Sequence, residues 1–85
     1  MIRPAPSLTW PPVAGEMALY DARDGCYHVL NSSAAAIWTA IAAETPVERV
    51  ATDLAIAHGV PIEAMRTDVD AFIAEALQLG LLVDA

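Results

Sequence analysis

The 85-residue chain carries four arginines, no lysine and eleven carboxylates, giving a formal net charge of −7 and a pI near 4.3. That is the size of one small domain, and so few cations argue against binding a nucleic-acid backbone, which depends on Lys and Arg releasing counterions. Hydrophobic residues make up 56% of the chain, too many for a disordered acidic tail, yet no window approaches the roughly 20 uncharged apolar residues of a membrane span. Pro4, Pro6, Pro11 and Pro12 break up the apolar run a signal peptide would need. The lone Cys26 permits no intrachain disulfide, so a reducing cytoplasm is the expected location.

Strand signals come first. Leu8–Trp10 reads as a short extended piece stopped by Pro11-Pro12. Glu16–Asp21 follows, with Met17 and Leu19 on one face at period 2. Cys26–Leu30 makes a third strand. Between the last two, Asp21-Ala22-Arg23-Asp24-Gly25 ends in a glycine that can take the left-handed conformation closing a hairpin. The expected arrangement is a three-stranded antiparallel meander.

Helical periodicity begins after Asn31-Ser32-Ser33, whose side chains can cap a helix burying Ala34, Ile37, Trp38 and Ile41. Thr45-Pro46-Val47-Glu48 has the form of a capping box with proline at the first helical position, and Val47, Val50, Ala51, Leu54 and Ala55 form the next stripe. Ile56 falls off that stripe and is expected to be exposed, and His58-Gly59 ends the helix. The longest helix runs from about Pro61 to Leu79 without a side-chain cap at its start, and Gly80 supplies a left-handed stop on which Leu81 folds back. Residues 1–85 therefore read as one α+β domain, a winged-helix-like arrangement of a three-stranded meander followed by three helices.

Many such folds bind DNA. Here the third helix carries Glu63, Asp68, Asp70 and Glu75 against Arg66 alone, a balance that repels phosphate. Tyr20-Asp21, Gly25-Cys26-Tyr27-His28-Val29-Leu30-Asn31, the run 34–38, Asp68-Val69-Asp70-Ala71-Phe72-Ile73 and Leu79-Gly80-Leu81-Leu82 together resemble the PqqD-like family, the recognition elements of peptide natural-product biosynthesis. The likeness extends over nearly the whole chain from about Trp10. It implies a non-catalytic adaptor, without a cofactor, that grips the leader of a ribosomally made precursor peptide. The adaptor then presents the peptide to a leader protease, a radical S-adenosylmethionine enzyme or another modifying enzyme, with the lasso-peptide type slightly favoured over pyrroloquinoline quinone synthesis. In the family the leader adds as an antiparallel strand on the third strand and lies against the third helix.

The residues themselves point the same way. Pro11-Pro12 flanks one edge of the meander, whereas Cys26, Tyr27, His28, Val29 and Leu30 contain no proline and offer amides and carbonyls for pairing. Spacing leaves open whether the Val29 amide or those of His28 and Leu30 face outward. With Ile62, Met65, Phe72 and Ala76 placed toward the core, Arg66, Val69, Asp70, Ile73 and Leu77 form an adjoining stripe. On this reading Val69 and Ile73 touch apolar leader residues while Arg66 and Asp70 select charge. Ile73→Glu should then abolish binding and spare the fold, and Phe72→Glu should unfold it. The plainer alternative makes Val69, Ile73 and Leu77 all core. Two other functions compete: a DNA-binding winged helix, and a homodimeric structural module in which the free edge pairs with its own copy.

Other chemistry finds little support in the sequence. Cys26 and His28 share a strand face but lack a second ligand pair for a metal, and an activated thiolate needs positive charge that this chain barely has. Asp68 and Asp70 point to nearly opposite sides of a helix, so they cannot act as a carboxylate pair. Trp10 and Trp38 read as packing residues. The acidic balance favours a leader carrying Lys or Arg beside its apolar anchors, with association slowed by salt.

Overall fold

The computed structural model describes residues 1–11 and 17–84. The expected strand starting at Glu16, and Pro12 of the proline pair, therefore fall partly outside the described residues. In chain order the elements are β1 (Ile2–Pro4), β2 (Leu8–Thr9), β3 (Met17–Asp21), β4 (Cys26–Leu30), α1 (Ser32–Ala42), α2 (Val47–His58), α3 (Ile62–Gln78) and β5 (Leu82–Asp84). An antiparallel sheet of order β2-β3-β4 is the expected meander, and three helices follow it. The sequence reading missed a second, two-stranded sheet in which β1 pairs antiparallel with β5. Three-residue strands so far apart in the chain leave no period to read, and only their meeting satisfies their backbone groups.

The core forms between the sheet and the three helices. Trp38, Leu19, Ile41, Val50, Val69 and Leu82 are its largest fully buried side chains. Trp38 meets Trp10 edge-on with ring centroids 5.3 Å apart and Phe72 likewise at 6.5 Å, the arrangement that ring quadrupoles favour. Ile56 is exposed, as its position off the α2 stripe requires.

All three helices end the same way. In α3 the amide of Leu81 donates to Ala76 and that of Gly80 to Leu77, with Gly80 at φ +75°. This pair of hydrogen bonds satisfies carbonyls the helix leaves over. The left-handed Gly59 ends α2 with Val60 donating to Ala55. At the end of α1 the left-handed residue is Glu44, with Thr45 donating back to Ala40. That last contact corrects the expected capping box. The Thr45 backbone closes α1, so the N-cap of α2 is Pro46 itself, without a side-chain hydrogen bond. At the start of α1, Asn31 caps as expected, its Oδ1 accepting from the Ala34 amide at 2.8 Å.

The hairpin between β3 and β4 is tied to the end of α3 by one arginine. Arg23 Nη2 donates to Asp21 Oδ2 at 2.7 Å and to the Gly80 carbonyl at 2.9 Å, and Arg23 Nε donates to Asp21 Oδ1 at 3.1 Å. A Cβ at Gly80 would lie 3.1 Å from the same Nη2, so a side chain there would push the guanidinium aside besides straining the positive φ.

The Arg23 side-chain and backbone hydrogen bonds hold the Asp21 carboxyl well below the usual carboxylate range. Because the native value lies below the unfolded one, the stabilisation is complete above the ordinary aspartate pKa of about 3.9. It fades as the pH falls past that value and is gone below the depressed native one. Urea midpoints of the wild type and Asp21→Asn should therefore differ most at neutral pH and converge as the pH falls below about 4. A gap that is constant with pH would mean that the carboxylate's charge is not what stabilises the turn.

Candidate functional site

The site grows out of the register of the meander. The Ala22 amide donates to the Ser7 carbonyl at 3.1 Å, which makes that opposed pair hydrogen-bonded. Antiparallel ladders alternate, so Tyr20, opposite Thr9, also points its backbone groups toward β2. Asp21, Leu19 and Met17 must then face β4, where they lie opposite Cys26, His28 and Leu30. The remaining residues of β4, Tyr27 and Val29, turn their N–H and C=O groups to the open edge. This resolves the choice the sequence left among Val29, His28 and Leu30.

Side-chain directions follow from the same alternation. Tyr27 and Val29 are 67% and 63% exposed on the outer face, where Tyr27 leans on Tyr20 at 4.9 Å between centroids. His28 and Leu30 are half-buried on the helix side. There a groove of about 330 Å³ runs along the open edge. Its strand wall is His28, Val29, Leu30 and Asn31, with Ala34 of α1 at one end. The opposite wall comes from the last two turns of α3, as Phe72, Glu75, Ala76 and Leu79, followed by Leu81.

The structure corrects the helix wall expected from sequence. Val69 and Ile73 are 1% and 9% exposed and belong to the core. Arg66, Asp70 and Leu77 are exposed but do not line the groove. Met65 and Phe72, expected in the core, are only half-buried against it; Ile62 is half-buried as well. At about 100° per residue, Phe72, Glu75 and Leu79 flank the Val69–Ile73–Ala76 core stripe on one side, and Arg66, Asp70 and Leu77 flank it on the other. The expected wall took in the core stripe and the wrong flank. The Phe72, Glu75, Ala76, Leu79 spacing of i, i+3, i+4, i+7 was present as a signal. Choosing between flanks requires knowing which side α2 covers, and α2 packs closely against α3.

Cys26 lies exposed at the hairpin end of β4, its amide held by Asp24 Oδ1 at 3.0 Å. The Asp24 charge, with partial burial and the Asp24 hydrogen bond adding to it, pushes the thiol up from its ordinary value. A thiol held protonated is a poor nucleophile. Iodoacetamide should accordingly label Cys26 more slowly at pH 7.5 than it labels a free cysteine, and Asp24→Asn should speed the reaction. Labelling faster than free cysteine would reopen a nucleophilic role. Among the described residues no group of three or more His, Cys, Asp or Glu is placed to hold a metal ion, and no helix is long and apolar enough to cross a membrane.

Two solved structures share this fold. One is TbiB1 in complex with the TbiA(beta) leader peptide, 16% identical, with a TM-score of 0.89 over 98% of this chain and 96% of that one. The other is lasso peptide synthetase B1 complexed with the leader peptide, 24% identical, with a TM-score of 0.88 over 98% of each chain. No curated protein matches the sequence. The family model described as coenzyme PQQ synthesis protein D matches residues 16–82, from β3 through the three helices to the first residue of β5. With most of its length matched and its fold in agreement, the chain belongs to the PqqD family.

Proposed function

We propose that this chain is a non-catalytic, cytoplasmic recognition protein for the leader segment of a ribosomally synthesised precursor peptide. The leader adds as an antiparallel strand on β4, with alternate side chains seated in the groove against α3. The carrying observation is the open edge itself: Tyr27 and Val29 present backbone groups that no described strand pairs, beside an apolar groove, with no proline between Cys26 and Leu30. Strand addition of this kind draws affinity from main-chain hydrogen bonds and selectivity from pockets for alternate side chains. Both structural neighbours were solved with a leader peptide bound, which supports the same use of the same fold and favours a lasso-type pathway. The partner in that pathway is a leader protease or another modifying enzyme.

The rival reading as a DNA-binding winged helix has the charge of α3 against it. Self-pairing of β4 into a homodimer uses the same edge and would be competed away by leader.

Amide exchange tests the proposal directly. The probe is a peptide selected for binding to the intact chain from a displayed random library. Its addition should slow exchange at Tyr27 and Val29 by about tenfold or more, while His28, already in the ladder, changes little. Binding that protects neither Tyr27 nor Val29 would overturn strand addition on β4.

A further inference from the structure

The groove holds a carboxylate placed where the protein's own structure disfavours it. Glu75 stands in the last turns of α3, near the negative end of the helix dipole, where an acidic side chain is destabilising and a basic one is preferred. The last turn of α3 carries no basic residue. Of the four arginines, Arg23 does reach the helix end at Gly80, but Asp21 takes up its charge at 2.7 Å. Arg49 pairs with Asp53 at 3.7 Å. Arg3 and Arg66 do not line the groove. The wall around Glu75 is apolar, formed by Phe72, Ala76 and Leu79, with His28 the titratable group on the facing strand. A local rule broken without compensation inside the chain points to a partner that supplies it.

We infer that Glu75 is a specificity-determining residue that selects a leader carrying Lys or Arg at the position entering the α3 end of the groove, flanked by apolar residues. The inference rests on the leader-binding reading and adds to it the charge of one position. A guanidinium or ammonium there answers both the carboxylate and the helix end, beside apolar walls that strengthen the attraction. The apolar neighbours of that position fill the space along Phe72 and Leu79. Charge selection thus falls to Glu75, and not to Arg66 or Asp70, which lie across the core stripe.

The test uses a library of random dodecapeptides displayed on yeast and sorted against the intact chain. Wild type should enrich Lys or Arg at one fixed spacing from apolar residues, and Glu75→Arg should replace that preference with Asp or Glu. For a synthetic peptide from the wild-type sort, Glu75→Gln should weaken binding about fivefold, the scale of a partly exposed charge pair. Replacing the peptide's cation by Gln should then cost nothing further in that variant. Glu75→Gln should also melt no lower than wild type, since the helix end prefers to lose the charge. If wild type enriches peptides with no basic preference while Val29→Pro still prevents their capture, the role of Glu75 is overturned and strand addition stands. If captured peptides are indifferent to Val29→Pro, strand addition fails and the assignment of Glu75 falls with it.

Discussion

Val29→Pro should abolish leader capture while leaving a folded domain. The Val29 amide points to the open edge and takes no part in the β3–β4 ladder, so proline removes a donor only from the incoming strand. The ring also stands in that strand's path. Together these should cost about 2–3 kcal/mol of binding, or roughly a hundredfold in affinity, read by fluorescence anisotropy with labelled leader. His28→Pro is the contrasting variant. Its amide pairs with Leu19 inside the sheet, beside the fully buried Leu19 side chain, and losing it should cost the fold about 3 kcal/mol. Greater loss of stability in Val29→Pro than in His28→Pro would show that the alternation along β4 is opposite to the one derived from the Ala22–Ser7 bond.

The second large effect reverses what the helix periodicity alone implies. Ile73→Glu should unfold the domain, because it buries a carboxylate among Val69, Ala76 and Trp38 with no cation to pair it. That costs several kcal/mol against a total stability of about 4–13 kcal/mol for a chain of this length. Phe72→Ala should instead keep the fold at a reduced melting temperature, since the ring is half-buried and meets Trp38 edge-on. It should lower leader affinity about tenfold or more by removing the apolar wall of the groove. Thermal denaturation followed by circular dichroism, with anisotropy at a temperature where the variant is folded, separates the two losses. Weakened binding with an intact fold in Ile73→Glu would return that residue to the groove.

Much of the architecture was legible because it is local. Asn31 caps α1, Gly59 and Gly80 stop their helices, Gly25 closes the hairpin and Ile56 stays out of the core, each for reasons contained within a few residues. The open edge was legible for a similar reason, since the absence of proline from 26–30 is a property of the strand alone. The failures share an opposite cause. The β1–β5 pair joins residues from the two ends of the described chain. The capping box at Thr45 was lost because Thr45 already closes the preceding helix. The groove wall on α3 was assigned to the wrong flank because the helix has apolar residues on more than one side.

The sequence by itself determined the meander and the three helices in their order, the acidic balance, the proline-free strand and the family pattern, because caps, turns and periodicities act through neighbours in the chain. Only the tertiary structure decided which β4 amides face outward, which flank of α3 meets them and that Glu75 stands uncompensated in the groove between. Those choices depend on register and helix rotation, which are set by packing among α2, α3, the meander and the β1–β5 pair rather than by any one segment.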